Sequence, residues 1–458
     1  LQARFDGQPQ TLRLLLGGGS PRLQVLPGHV DAARPQPITD PVALSLRHDS
    51  RAIADKTPFG AVPAGTTVQF ALTALPGVES ATLVVERRRL EGDQTRLDYT
   101  ALARIPMLRG PGTTLGTERF TARHRFDDIS VHGYWFAVRI AGRDYVLQNN
   151  RDAIHWTRER GSNGLAVVDW QPPAERRIRR LRLSVYQPGF RTPDWAADAV
   201  YYYVFPERFR NGDRSNDPQP GSRRYQTHAI ELHPRWSDVP FKPGSDDGSD
   251  AAHNNDFFGG DLAGIIEKLD HIRALGANAL YMTPVFQAAS NHKYDTGDFH
   301  RIDPGFGSNA DFTRLTQEAA QRGIRVVVDT SLNHTGSDSP YFDRYGNFAT
   351  GADGQPSIGA FANGRIRPDS PWANWYRFDP TQTDPNRQYT GWAGTPDLPE
   401  LDKNSPAWRD FAYRAPDSVT RRWLQAGAAG WRMDVAPWVP DDFWREWRSV
   451  VKHTDPQA

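Results

Sequence analysis

The sequence predicts two successive architectures, an antiparallel β-sandwich followed by a parallel β/α array, and three observations carry that reading. Between about 52 and 190, short runs of alternating apolar residues are separated by turn residues, as in strands with one buried face. After Pro193, strand-like apolar runs alternate with helical stripes, as in a parallel sheet covered by helices. The length, 458 residues with 38% hydrophobic and 24% charged side chains, exceeds one ordinary domain and supplies more than one core.

Residues 1–50 are rich in Pro, Gly and Arg with little periodicity and are expected to form an irregular lead-in or irregular first strands. Within 51–190, the expected sandwich domain, Val68, Phe70 and Leu72 share one face, then Leu83 and Val85, then Tyr134, Phe136, Val138 and Ile140. That last run enters a turn at 141–144 and returns as Tyr145 to Leu147, which predicts a hairpin. In the β/α part, 199–205 is the first strand. Leu262, Ile265, Ile266, Leu269, Ile272 and Leu275 mark one helix closed by Gly276, and 279–286 is the second strand. Asn309 is the expected cap of a helix through Phe312, Leu315 and Ala319, and 324–332 is the third strand. A Gly/Pro/Trp-rich excursion over 336–395 precedes a helix led by Ser405 and Pro406, the strand 430–436, and a helix opened by Asp441. The reading assigns 191–335 and 396–458 to the β/α array and 336–395 to an insertion.

Composition removes several functions. No run of roughly 18 apolar residues is present and the mean hydropathy is −0.65, so no membrane-spanning segment is expected. With no cysteine, thiol nucleophiles, thiolate metal sites and disulfides are out of reach. Fifty-five basic and 54 acidic side chains leave a net charge of +1, which gives no field for nucleic acid or an anionic membrane. Fourteen Trp and 15 Tyr supply flat faces suited to a large core or to stacking on sugar rings. The start at Leu1 without a Met, with no Cys in the chain, is read as that of a periplasmic or secreted protein whose leader has been removed, with a cytoplasmic location the alternative.

In a parallel β/α array the reactive groups sit at the carboxyl ends of the strands. The third strand delivers Asp329 there, with Asn333 and His334 just beyond, and the second leads to Tyr294 and Asp295. The fourth carries Arg432 and Asp434 two apart, hence on one side, where the guanidinium keeps the carboxylate ionised and oriented as a nucleophile requires. Taken singly, each has a plainer explanation: a structural ion pair, a turn histidine, a packed tyrosine. Their occurrence on successive strand ends of one array favours a site. Between 211 and 217, Asn211, Asp213, Asn216 and Asp217 offer four oxygen-bearing side chains in seven residues, a pattern for a hard cation such as calcium and equally for a turn. Trp372, Trp375 and Trp392 serve either as outer sugar-stacking positions or as the core of the insertion.

Together, DAVYYYVFPERFRNGD (198–213), GGDLAGII (259–266), SNHKYDT (290–296), Asp329 to His334, Leu398 to Asp402 and GWRMDVA (430–436) resemble the α-amylase family of glycoside hydrolases. The likeness covers about 195–458 and is strongest to the neopullulanase, cyclomaltodextrinase and maltogenic amylase branch, whose members carry an N-terminal, carbohydrate-binding-like β-sandwich. It implies a (β/α)8 TIM barrel, of which this chain holds the first half, with a small inserted domain after the third strand. It also implies that Asp434 is the nucleophile of a retaining double displacement on α-1,4-linked glucans, bonded by Arg432, which Asp329 orders. His334 and Tyr294 would contact the sugar at the cleavage point, with Asp295, Asn333 and Trp438 in the substrate-binding surround. The matching loop of that branch binds calcium, here through Asn211, Asp213, Asn216 and Asp217 with the Gly259 carbonyl and Asp261. Trp438 stands where relatives have polar residues, which suggests an altered acceptor side.

The family's acid/base Glu ends the strand after the helix at 441–452, and Ala458 comes before it. The reading therefore expects the remaining C-terminal polypeptide of the same enzyme as a partner. A homodimer, an α-glucan transglycosylase and a non-catalytic glucan-binding protein are the alternatives.

Overall fold

In the computed structural model, the described residues are 37–90, 97–111, 116–150, 163–172, 174–219, 221–245, 252–348 and 358–458, with the strands Gln2–Phe5, Gln8–Leu15 and Arg22–Val25. The chain divides into two compact units at Phe190/Arg191.

The first unit is strand-rich. A four-stranded sheet contains Lys56–Thr57, Thr66–Ala74, Glu118–Phe126 and Leu108–Arg109, and a seven-stranded sheet is centred on Ser130–Ile140. Their inward side chains, Val68, Phe70, Leu72, Leu83, Val85, Tyr134, Phe136, Val138 and Ile140 among them, form one core. The expected hairpin pairs Ile140 with Arg143, and its two-residue loop is left-handed at Ala141 (φ 48°) and Gly142 (φ 71°), the twist that suits paired strands. Of the two expectations for residues 1–50, a lead-in or first strands, the described residues hold strands, three of them paired antiparallel, and a helical turn Pro41–Leu44 capped by Asp40.

The second unit is built on four parallel strands in chain order: β1 Tyr201–Val204, β2 Ala279–Met282, β3 Arg325–Ser331 and β4 Gly430–Asp434. Register fixes the rows of one face. Tyr203, Tyr281, Val327 and Gly430 lie side by side; Asp329 pairs with Arg432 one step on, and Ser331 with Asp434 at the tip. The opposite face, with Leu280, Met282, Val326 and Val328, is buried against the helices. Tyr201 and Tyr203 on the first face are 52% and 55% exposed.

The stripe expected to form one helix is two, α1 Leu262–Glu267 and α2 Leu269–Ala274, broken at Lys268, and Leu275 is exposed. Helix α3, Asn309–Gln321, is capped by Ser308 rather than Asn309: Ser308 and Asp311 exchange hydrogen bonds as a capping box, and Asn309 turns its amide to the backbone of Ile302. After Ser405 caps the turn Pro406–Arg409, the chain leaves helical geometry at Ala415 (φ −61°, ψ 152°), as the residue before Pro416 must, and resumes as α4, Val419–Gln425. The last helix, α5, is Asp441–Thr454. The described part of 336–395 has short 3-10 turns and isolated bridges, and its Tyr341, Phe342, Phe361, Trp375 and Tyr376 join the core of the β/α array. Among the described residues no helix is long and apolar enough to cross a membrane.

Candidate active site

The tips of β2, β3 and β4 bring the expected residues together. Arg432 Nη1 donates to Asp434 Oδ1 at 2.8 Å and to both oxygens of Asp329 at 3.1 and 3.2 Å. Asp329 Oδ2 also accepts from the hydroxyls of Tyr281 (2.7 Å) and Tyr294 (2.8 Å). The Asp329 side chain is fully buried, and burial pushes its carboxyl up to about 6 against the opposing pull of Tyr281, Arg432 and Tyr294. Burial likewise raises both tyrosine hydroxyls, and the Asp329 charge adds to it, so they remain donors. Asp434 is partly open, with Oδ1 held and Oδ2 free of any hydrogen bond from described residues.

Backbone geometry aims these groups. Lys293 (φ 64°), before Tyr294, and Val435 (φ 54°), after Asp434, are both left-handed, and for a β-branched Val that conformation is costly. Lys293 is held there by its buried ammonium, which bonds Asp303 at 2.7 Å and the Ala288 carbonyl at 3.1 Å, while Arg223 clamps Asp303 from the other side.

His334 and Asn333 are buried where the chain leaves β3, beside the extended segment 399–401. Burial drives the His334 imidazole down to about 3, so it is neutral at physiological pH. The Trp392 ring lies 5.8 Å from it, and Trp438 meets Trp392 edge-on at 6.4 Å. Trp392 thus flanks His334, and Trp438 flanks Trp392. Trp375 is core, packed on Tyr341, Trp408 and Phe411, and Trp372 lies against it. Asp295 does not face the cluster with a free carboxylate: it is buried, receiving Ser290 N and Ser290 Oγ within its own loop.

The loop residues proposed for a cation also assemble, though not as six equivalent ligands. Asp261 caps α1 and accepts four N–H groups, from Gly212, Asp213, Asn216 and Gly264. Asp213 turns its carboxylate to Ser215. Asn211 donates to Asp217 at 2.6 Å, and Gly259 presses so closely that a Cβ there would lie 2.3 Å from Asp217 Oδ1. Two buried oxygens, Asn211 Oδ1 and Asn216 Oδ1, have no partner among the described residues, the condition a hard cation relieves. Among the described residues no three His, Asp or Glu side chains converge, so a cation here would rest on amide and carbonyl oxygens with Asp217. The residues present fit calcium on that footing.

Sequence reasoning missed Tyr281, Lys403 and the approach of Trp392 to His334. Tyr281 was visible as a strand residue of the parity that shares a face with Asp329. Lys403, which bonds Asn333 Oδ1 at 3.1 Å, left no sequence signal because 70 positions separate the two.

Residues 203–457 match the family described as "Alpha amylase, catalytic domain", and the chain belongs to the α-amylase family. An amylopullulanase of Thermoanaerobacter thermohydrosulfuricus is 33% identical over 437 residues, 90% of this chain and 27% of that protein. Neopullulanase 2 of Thermoactinomyces vulgaris is 36% identical over 269 residues, 59% of this chain and 39% of that protein. The chain therefore spans between about a quarter and two fifths of the length of these curated relatives. Among solved structures, a cyclic α-maltosyl-(1→6)-maltose hydrolase from Arthrobacter globiformis is 37% identical with a TM-score of 0.45, covering 58% of this chain and 51% of that one.

Proposed function

We propose that the chain carries the nucleophile side of a retaining hydrolase acting on α-1,4-linked glucans such as maltodextrins, cyclodextrins or pullulan. The observation that carries the reading is one guanidinium nitrogen bonded both to a buried, tyrosine-anchored Asp329 and to an open Asp434. The names of the relatives, amylopullulanase, neopullulanase 2 and cyclomaltodextrinase, support the substrate class.

In this reading Asp434 Oδ2 attacks the anomeric carbon as the glycosidic bond breaks, and the departing oxygen takes a proton from a second carboxylic acid about 5 to 5.5 Å away. Water then attacks the same carbon, gives its proton to that second group, and releases the Asp434 carboxylate, so configuration is retained. Arg432 spreads the charge of Asp434, Tyr294 offers its ring to the oxocarbenium-like sugar, and His334 holds a hydroxyl. Asp329 is committed to Tyr281, Tyr294 and Arg432 and is not the acid. We assign the acid to further polypeptide docked against β4 and the open face of Tyr201 and Tyr203. The pair Trp392 and Trp438 favours, as a second reading, capture of the glycosyl ester by a sugar hydroxyl, since aromatic walls exclude water. Calcium, held by Asn211, Asn216, Asp217 and the Gly259 carbonyl, would tie the loop after β1 to the start of α1 and neutralise Asp217.

The test uses α-maltosyl fluoride, whose fluoride leaves without a proton donor. Asp434 is expected to displace it and gain a maltosyl ester, located by mass spectrometry on the peptide containing Asp434 and absent in Asp434→Asn. Labelling of another residue, or an equal adduct in Asp434→Asn, removes the mechanism.

A further inference from the structure

The ring nitrogens of His334 are set by a residue outside the sugar-contacting group. Lys403 Nζ lies 3.1 Å from Asn333 Oδ1 and 3.5 Å from Glu400, and its side chain is 11% exposed. An ammonium only donates, so the Asn333 atom facing it is the oxygen and the amide nitrogen points the other way. That nitrogen is 3.3 Å from His334 Nδ1. An amide N–H cannot accept, so Nδ1 must, which leaves it without a proton.

The backbone keeps the three residues in line. Leu401 N donates to the Asn333 carbonyl at 2.9 Å, Thr335 N to the Pro399 carbonyl at 3.2 Å, and His334 bridges Glu400, so 333–335 and 399–401 form a short pair of extended segments with Lys403 just past it. On the far side of the ring, His334 Nε2 is buried and, among the described residues, has no well-formed hydrogen bond, although the Tyr294 backbone carbonyl lies near enough to the ring to act on it. A buried N–H kept unmatched is a donor reserved for something that arrives.

We propose that Lys403, acting through Asn333, locks His334 as the neutral imidazole carrying its proton on Nε2, so that the ring donates to the sugar hydroxyl it meets and does not accept from it. Lys403 is a positioning residue here. The tautomer stands on the contacts alone, while the identity of the acceptor rests on the glycosidase reading above. Burial acts in the same direction, as do the charges of Lys403 and His292, by excluding the doubly protonated ring; the Tyr294 backbone opposes them and is outweighed.

The experiment is nitrogen NMR of the chain labelled in its histidine rings, with His334→Gln identifying the signals. The wild-type ring is expected to show a protonated Nε2 and bare Nδ1, unchanged across roughly pH 5 to 8, where a free histidine titrates. Asn333→Asp, nearly isosteric, puts a carboxylate oxygen where the amide N–H was and is expected to move the proton to Nδ1. Lys403→Met is expected to give a mixture of tautomers, and Lys403→Arg to restore the wild-type pattern. A wild-type ring protonated on Nδ1, or variants Asn333→Asp and Lys403→Met with the wild-type spectrum, would overturn the proposal. Adding maltotriose separates the two layers: a ring in the expected tautomer whose Nε2 signal ignores the sugar sinks the glycosidase reading and leaves the relay standing.

Discussion

Asp329 and Asp434, on neighbouring parallel strands, share a single nitrogen of Arg432: it lies 3.1 and 3.2 Å from the oxygens of the first and 2.8 Å from the second. The two carboxylates have opposite surroundings. Asp329 is sealed and tied by two tyrosines, whereas Asp434 is open to solvent. The guanidinium therefore transmits the rigidity of a buried anchor to a group that must stay free to react. Arg432→Lys keeps the charge but replaces a rigid, planar guanidinium with a flexible chain whose ammonium is not fixed at the point between the two carboxylates. It is expected to slow ester formation from α-maltosyl fluoride at least 100-fold, about 3 kcal/mol of barrier. A variant within threefold of wild type would show that the bridge is dispensable.

The same arrangement predicts a pH limb. The folded Asp329 carboxyl titrates at about 6, above its ordinary 3.8, because burial penalises the charge more than Tyr281, Arg432 and Tyr294 repay it. Its stabilising contribution is complete below about pH 3.8 and is lost as pH rises through 6, so ionised Asp329 is a cost to stability. Function runs the other way, since Arg432 is anchored only when Asp329 is charged. Ester formation is expected to fall on acidification with a midpoint near pH 6, and Asp329→Asn to be slow at every pH with that limb absent. A wild-type rate flat between pH 5 and 7 would separate Asp329 from Arg432.

A cation at the 211–217 loop has a thermodynamic signature independent of turnover. Ligand that binds only the folded chain stabilises it, by about 2.7 kcal/mol at a hundredfold excess over Kd. Added calcium should raise Tm by several degrees and a chelator should lower it. Asn216→Ala and Asp217→Ala should abolish the shift. Gly259→Ala should do the same by strain, because Gly259 sits at φ 78° against Asp217 and Asn211. A Tm indifferent to calcium and chelator would leave the loop as a turn.

Much of this was legible in the sequence because the signals are local. Alternation from Tyr134 to Ile140 and a two-residue turn suffice for a hairpin, and Arg432 and Asp434 share a face by parity alone. Ser308 was legible too, since Asp311 three residues on completes the capping box, but the neighbouring Asn309 is an equally good cap by type and drew the reading away. The contact of Lys403 with Asn333 beside His334 was not legible, because its partners are 70 positions apart in the chain. The tryptophans of 336–395 divide for the same reason: composition cannot tell Trp375, sealed among Tyr341, Trp408 and Phe411, from Trp392 beside His334.

Trp423 shows how the core supports that site. It is 1% exposed on α4, stacked on Phe286 at 4.9 Å and edge-on to Phe312 of α3 at 5.0 Å, and its indole N–H donates to the Phe299 carbonyl at 2.8 Å. One side chain thus joins two helices to both arms, Phe286–Ala288 and Thr296–Ile302, of the excursion that carries Tyr294. Truncation removes a large apolar volume and leaves a buried carbonyl without its donor. Trp423→Ala is expected to destabilise the chain by about 3 to 5 kcal/mol, measured by urea unfolding. Trp423→Phe keeps most of the packing and isolates the lost hydrogen bond, at about 1 to 3 kcal/mol. Below its unfolding midpoint Trp423→Phe should still form the Asp434 ester at close to the wild-type rate, because nothing at the strand tips touches the indole nitrogen. A large rate loss in that variant would mean that the excursion bearing Tyr294 is positioned through Phe299, not through the buried contact of Lys293 with Asp303.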